Sequence, residues 1–299
     1  MCIRDRSSFA AAKEKAVPTN PLAPRAPHFP AKAKHVIFLC MQGGPSHVDT
    51  FDYKPELNRD HGQRGKYGGT LLKSPWQFKQ RGESGLWISD LFPEVARHAD
   101  DLCLIRSMQC DQPVHPAAMT QMHTGTAQFI RPSLGAWTLY GLGTENESLP
   151  GFVALSAPRG NANNYGSSFL PAIYAGTKVG ASGPRRMPVA TGESVPDIRN
   201  PKLTSQQQRT QLDFIQRLNR EKLKQEKHGP EIEGVIESYE LAFRMQDAIP
   251  ELMDLSREDA RTLAMYGADG GPTESFGKQC LMARRFIESG VRFVELTHG

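Results

Sequence analysis

The chain has 299 residues, of which 38% are hydrophobic, and its formal net charge at pH 7 is +4. A chain of this length can bury a sizeable core, and it fits one large domain or two modest ones. Its lysines and arginines are spread along the sequence, which argues against a nucleic-acid-binding protein, and no apolar run reaches the roughly 18 residues of a membrane-spanning helix. The cysteines after Cys2 share no C-x-x-C spacing, so neither a zinc site nor a disulfide framework is predicted.

Two stretches precede the predicted domain. Residues 1–7 resemble a translated sequencing adapter, and we leave them out of the fold prediction. Residues 10–33 are rich in Ala, Pro and Lys, a composition that indicates an extended lead-in. We therefore expect residues 1–33 to be leader and lead-in, and residues 34–299 to form the domain.

The first predicted strand ends in the leading candidate for a functional site. The apolar run from His35 to Met41 is short and continuous, which predicts a central strand buried on both faces of a mostly parallel sheet. Open α/β sheets bind ligands at the carboxyl ends of their strands, and residues 43–52 of this chain lie at that end. Gly43 and Gly44 allow the backbone to turn sharply and to approach a ligand closely.

The next elements predict a second polar segment at the same sheet edge. Residues 53–85 are polar and rich in Gly and Lys, which indicates a long surface excursion. A helix is predicted from Ser89 to Ala99 and a second buried strand from Leu102 to Ile105. Strand, loop, helix and strand form a βαβ unit, so we expect the polar residues 107–115 beside the first loop.

The rest of the chain alternates between predicted helices and strands. Helices are predicted at residues 116–125, 133–140 and 273–289, strands at 151–155 and 291–296, and a helical hairpin at about 204–247. Residues 157–200 carry many Gly, Pro, Asn and Ser residues and indicate ordered loop or a substrate-facing insertion. The predicted fold class is α/β: a mostly parallel, doubly wound sheet flanked by helices.

Several motifs resemble those of a large bacterial family of unknown function, the DUF1501 proteins. They are GGPSHVDTFD at 43–52, PVH at 113–115, MHTG at 122–125, YGLGTEN at 140–146, LPGFV at 149–153, GSSFLPAIYAGT at 166–177 and GVRFVE at 290–295. The family is grouped with the alkaline phosphatase and sulfatase superfamily, so the resemblance implies an alkaline-phosphatase-like fold. In the family the last strand runs on into further segments, so we expect this chain to be C-terminally incomplete.

The resemblance also implies a chemistry. Enzymes of that superfamily cleave phosphate or sulfate esters with bound divalent metal ions and a nucleophilic Ser, Thr or modified Cys. The cation neutralises charge on the ester oxyanion and lowers the pKa of the attacking oxygen. The implied metal ligands are His47, Asp49, Asp111 and His298, with Asp52 as a further acid on the first loop. The implied catalytic residues are Ser107 and His115, and the implied substrate-binding residues are Gly43, Gly44, Ser46 and Thr50.

The sequence departs from the superfamily pattern at its first strand. The superfamily has an Asp at the end of that strand, whereas this chain has Gln42, a weaker ligand for a hard cation. Asp49 is the nearest acid on the loop; alternatively, Asp49 and Ser46 brace the turn through hydrogen bonds. Cys110 lies outside the Cys-x-Pro-x-Arg context that sulfatases convert to formylglycine, which disfavours that mechanism.

Two functions remain open from the sequence. The leading hypothesis is metal-dependent hydrolysis of a phosphate or sulfate ester, of a small molecule or a glycan, by an exported bacterial protein, periplasmic or extracellular, whose signal peptide is not in this sequence. The alternative is a non-catalytic surface or periplasmic binding protein that keeps the fold without a full metal site. We expect residues 1–299 alone to be inactive, because missing C-terminal strands would leave an open sheet edge and an incomplete site.

Overall fold

The computed structural model describes residues 20–41, 43–155, 162–180, 200, 202–225 and 230–298. The strands are β1 (Val36–Met41), β2 (Phe78–Arg81), β3 (Leu86–Ser89), β4 (Phe152–Leu155), β5 (Thr177–Val179) and β6 (Phe293–His298). The α-helices are α1 (His47–Thr50), α2 (Pro55–Arg59), α3 (His115–Thr124), α4 (Leu134–Leu142), α5 (Ser205–Gln225), α6 (Pro230–Met253), α7 (Ala260–Met265) and α8 (Glu274–Glu288). Short 3-10 helices lie at Val95–Asp101, Ala162–Asn164 and Ala172–Tyr174. No helix within these described ranges is long and apolar enough to cross a membrane.

The chain forms two compact units. The first unit comprises Met1–Cys40 and Pro116–Gly299, and the second comprises Met41–His115. Each unit has its own apolar core, the larger one around β4, β6 and α8 and the smaller one around Ile88. The predicted extent of a single domain from residue 34 stays a prediction.

The first unit is built on a four-stranded parallel sheet with the order β1-β6-β4-β5. Helices flank this sheet, so the predicted α/β class with a parallel sheet is confirmed. Every residue of β4 is buried, as a near-continuous apolar run predicts for a central strand. The helix α8 packs on β6, and the long helices α5 and α6 pack against each other. The alkaline-phosphatase-like and doubly wound descriptions go further than this and stay predictions.

The predicted central position of β1 is wrong. Among the described strands β1 lies at the edge of the sheet, beside β6 only. Its side chains alternate: Ile37, Leu39 and Met41 are 42%, 55% and 50% exposed, whereas Cys40 on the opposite face is buried. An apolar run in the sequence does not show whether a strand lies inside a sheet or at its edge, because the residues on both faces of the strand are apolar in either case.

The predicted βαβ unit in the second unit is also wrong. The excursion at 53–85 contains the short helix α2 and the strand β2, and β2 pairs antiparallel with β3. Residues 102–105 form no strand, and Leu102 and Ile105 are exposed. The carboxylate of Asp100 accepts hydrogen bonds from the amides of Glu83 and Ser84 at 3.0 and 2.8 Å and so helps to hold the β2–β3 turn.

The ring of Phe152 determines how closely α4 approaches the sheet. Phe152 is fully buried, and its ring meets that of Phe293 edge to face at a centroid distance of 5.1 Å. A Cβ atom on Gly135 of α4 would lie 2.5 Å from this ring, and one on Gly176 would lie 2.8 Å from it. The absence of side chains at both glycines therefore lets the helix and the loop pack directly on Phe152.

We predict that Gly135→Ala lowers the free energy of unfolding by about 1–3 kcal/mol, because the ring of Phe152 is confined on several sides and cannot move away. Gly141→Ala is the matched control on the same helix, since a Cβ there meets no atom within 4 Å. The control should leave stability unchanged or raise it by up to about 1 kcal/mol. Urea unfolding measures both variants, and equal effects of the two substitutions would contradict this packing.

Candidate functional site

The first candidate segment leaves β1 through two glycines in left-handed conformations. Gly43 has a φ of +85° and Gly44 a φ of +66°, a backbone that side chains disfavour. The single-turn helix α1 comes next, and the hydroxyl of Thr50 donates to the carbonyl of Ser46 at 3.0 Å. Gln42, where the superfamily has an Asp, lies outside the described residues.

Asp49 is held by hydroxyl groups. Its carboxylate accepts hydrogen bonds from the side chains of Ser74 and Ser46, and these lower the pKa of Asp49. Such bonds stabilise the ionised form and tie α1 to the segment that precedes β2. This is the bracing arrangement that the sequence left open as the alternative to metal ligation. The role of Asp49 as a metal ligand stays a prediction.

Asp52 is surrounded by basic side chains. Its side chain is 14% exposed, and its carboxylate lies 2.7 Å from Lys54 Nζ, 3.9 Å from His47 Nε2 and 4.0 Å from Arg106 Nη1. Arg106 belongs to the second polar segment, so this cluster joins the two segments that the sequence predicted to converge. The carboxylate of Asp52 therefore faces both a lysine and an arginine.

His115 also joins the two segments. It is the first residue of α3, and a Cβ atom on Gly44 would lie 3.4 Å from Cε1 of its imidazole ring. The ring therefore rests beside the glycine turn of the first segment, although the strand that was predicted to bring it there does not form. Ser107 and Asp111 lie on the exposed loop between Arg106 and α3.

The described side chains do not fit a divalent metal centre. Within the described part of the chain, no group of three or more His, Cys, Asp and Glu residues could hold a metal ion. Asp52 already faces the cations Lys54 and Arg106, which oppose a further positive charge. His298 ends β6, but its side chain lies outside the described residues. We therefore derive no chemical step through a metal.

Sequence reasoning missed a buried charge pair in the first unit. His123 of α3 and Glu295 of β6 have side chains that are 1% and 3% exposed, and His123 Nε2 lies 3.1 Å from Glu295 Oε1. The other ring nitrogen, Nδ1, lies 2.7 Å from the carbonyl oxygen of Met119, and the ring of Phe38 packs edge-on against the imidazole. A carboxylate within an apolar strand needs a buried partner, and this is the signal in GVRFVE that could have revealed it.

This environment keeps the imidazole charged. Burial by itself lowers the pKa of His123, but the side chains of Cys40 and Glu295 and the carbonyl of Met119 outweigh burial and raise it to about 10. A buried imidazolium is stable only beside its carboxylate, since an isolated charge in the core is costly. The pair therefore fixes α3 on the central strand β6.

The fold and these sites define a mixed α/β protein. It has a parallel sheet in the first unit and two neighbouring polar segments in the second unit. The family model described as "Protein of unknown function (DUF1501)" matches residues 33–299, so the chain belongs to the DUF1501 family. No curated protein and no solved structure matches it.

The charge pair predicts how stability depends on pH. Because the folded protein keeps the proton of His123 that the unfolded chain releases above about pH 6.5, the stability that the pair contributes is complete below that pH and is lost as the pH rises through about 10. Urea unfolding across this pH range measures the loss. His123→Leu should remove this part of the dependence of the free energy of unfolding on pH.

Glu295→Gln tests the same pair at constant pH. It should lower the free energy of unfolding by about 3–5 kcal/mol near pH 7, because it leaves a buried imidazolium without its counter-charge. Glu94→Gln is the matched control, since Glu94 and Arg97 form a surface pair with side chains 81% and 75% exposed. A loss for Glu295→Gln no larger than for the control would contradict the charged state of His123.

Proposed function

We propose that the protein binds and hydrolyses esters of phosphate or sulfate at the loop face, defined as residues 43–54 and 106–115 of the second unit. The observation that carries this proposal is the placement of His115 against Gly44, with Arg106 near Asp52. Two polar segments that are distant in sequence thereby present an imidazole, a guanidinium and a flexible backbone turn on one surface.

The loop face contains two cations for the recognition of an anionic ester. Arg106 offers a planar guanidinium and Lys54 a point charge, and both recognise oxyanions of phosphate and sulfate. Asp52 holds these two cations through its carboxylate. Gly44 adds no side chain, so an ester oxygen can approach the backbone closely.

In this proposal His115 handles the proton. Its imidazole is exposed beside the glycine turn, and histidine transfers protons efficiently near neutral pH. Water attacks the phosphorus or sulfur atom and the bond to the leaving oxygen breaks. His115 donates a proton to that oxygen and receives the proton that the attacking water releases, so the proton count balances. Ser107 is the alternative nucleophile to water, and Ser46 and Thr50 are proposed to bind the substrate.

The family resemblance also implies a divalent metal, which would neutralise charge on the ester oxyanion. Since the described residues do not gather three ligands, the proposal assigns that neutralisation to Arg106 and Lys54. Export to the periplasm or cell surface is likewise proposed on the family resemblance alone.

A second candidate is a binding protein without catalysis. It is favoured by the state of the two acids on the first loop: Asp49 accepts hydrogen bonds from Ser46 and Ser74, and Asp52 faces Lys54 and Arg106. Acids engaged in this way stabilise the loop and leave an anion-binding surface without an activated nucleophile. Both candidates share anion recognition and differ in turnover.

Anion binding is tested first. We expect Arg106→Ala to weaken the binding of inorganic phosphate or sulfate, measured by calorimetry, by about 10- to 150-fold, because a charge-assisted contact of about 1.5–3 kcal/mol is lost. Arg97→Ala is the matched control, as Arg97 is an exposed arginine of the same unit that pairs with Glu94. Equal binding by both variants, or no binding by the wild type, would contradict the proposal.

Turnover separates the two candidates. With 4-nitrophenyl phosphate and 4-nitrophenyl sulfate as substrates, His115→Ala should reduce kcat by about 100-fold or more while anion binding is kept. The measurement is made on the purified protein, together with elemental analysis of the same sample. Anion binding with no turnover would establish the second candidate, and turnover that is unaffected by His115→Ala would exclude the proposed role of that residue.

A further inference from the structure

The first unit exposes a row of aromatic rings, which we call the aromatic ridge: Phe169, Trp137 and Tyr140. Their exposed fractions are 68%, 44% and 42%. The ring of Trp137 meets those of Phe169 and Tyr140 edge to face, at centroid distances of 5.9 and 5.8 Å. Large side chains of this kind, exposed together, are typical of binding surfaces.

The helix that carries most of the ridge has no charged residue. On its inner face Gly135, Ala136 and Leu139 are buried, whereas Leu134 and Trp137 on its outer face are exposed. Helices that are apolar on both faces are normally covered on both sides. The outer face of α4 is therefore suited to a ligand with apolar faces of its own.

The rings are held in place before any ligand binds. Tyr140 packs edge to face on the buried ring of Tyr174, whose hydroxyl donates to the carbonyl of Pro21 at 3.1 Å. Ser168, just before Phe169, has a φ of +52° and donates its hydroxyl to the carbonyl of Ile130 at 3.0 Å. A ridge fixed in this way loses little side-chain freedom on binding.

Two guanidinium groups lie over aromatic rings of the segments that build the ridge. The guanidinium of Arg25 lies 5.6 Å from the centre of the Tyr140 ring, and that of Arg131 lies 5.8 Å from the Phe129 ring. The segments that build the ridge, residues 129–142 and 162–176, contain no Asp or Glu. The surface is thus both aromatic and basic, which complements a partner with apolar faces and negative charge.

We propose that the aromatic ridge binds an anionic polysaccharide. The C–H faces of sugar rings stack on exposed aromatic rings, and sulfate or carboxylate substituents pair with Arg25 and Arg131. Because the plane of the Trp137 ring lies at 70° to that of Phe169 and at 78° to that of Tyr140, each exposed aromatic face takes its own sugar ring. This binding lies in the first unit, uses no residue of the loop face and is independent of ester hydrolysis.

Affinity electrophoresis of the whole chain tests the ridge, with chondroitin sulfate as the anionic probe and dextran as the neutral one. Trp137→Ala and Phe169→Ala should each weaken retention by chondroitin sulfate about tenfold, as expected when one stacking ring is removed. Trp137→Phe should keep most of the affinity, because it keeps a ring, and this separates stacking from folding. Tyr67→Ala is the control, since Tyr67 is 94% exposed and outside the ridge.

Charge and independence are tested with the same probes. Arg131→Ala should weaken the binding of chondroitin sulfate and flatten its dependence on salt, whereas Arg106→Ala should leave it unchanged even if anion binding at the loop face is lost. The proposal is overturned if the folded wild type retains neither probe, if dextran binds as tightly as chondroitin sulfate, or if the alanine variants bind like the wild type. It is also overturned if Trp137→Ala instead abolishes self-association in sedimentation, since the ridge would then be a protein interface.

Discussion

The buried pair of His123 and Glu295 is the constraint on which the first unit depends. Glu295 lies within β6, the strand that pairs with both β1 and β4, and His123 lies on α3. Because each charge would be costly in the core without the other, the pair favours the observed position of α3 against the sheet. Apolar packing of Phe38 and Phe293 around the pair excludes water and strengthens the attraction between the charges. A polar contact thus determines where a helix lies, while apolar burial supplies most of the stability.

The second unit uses charge differently. Its polar groups lie near the surface. There Asp52 lies close to Lys54, His47 and Arg106, and Asp49 accepts hydrogen bonds from serine hydroxyls. These contacts hold the loop face together and leave cations and an imidazole exposed on it. For a DUF1501 protein, anion recognition is therefore the step that catalysis and plain binding would share, and only cleavage of the bound ester would distinguish the two.

Much of the fold could be predicted from the sequence, because local patterns determine it. The four apolar residues of β4 and the capped start of α4 at Ser133 can be recognised within a few positions. The edge position of β1 could not, since sheet order depends on distant strands. The β2–β3 hairpin was missed although Gly82 and Gly85, both with positive φ, mark its turn locally, and Asp100 also holds that turn. The candidate site was likewise predicted only in part. The loop residues were found from glycine and polar patterns. The partners His123 and Glu295 lie in separate motifs, and no local sequence rule connects them.

The most direct test of this account is the charge state of His123, measured by the ¹⁵N chemical shifts of the histidine rings in the folded protein. The chain has nine histidines, and His123→Gln identifies the signal in question. The account predicts that this ring keeps both nitrogens protonated well above pH 8 and loses a proton only near pH 10, and that Glu295→Gln abolishes this behaviour. A His123 ring that is neutral at pH 8 would contradict it, because α3 would then be held by packing alone.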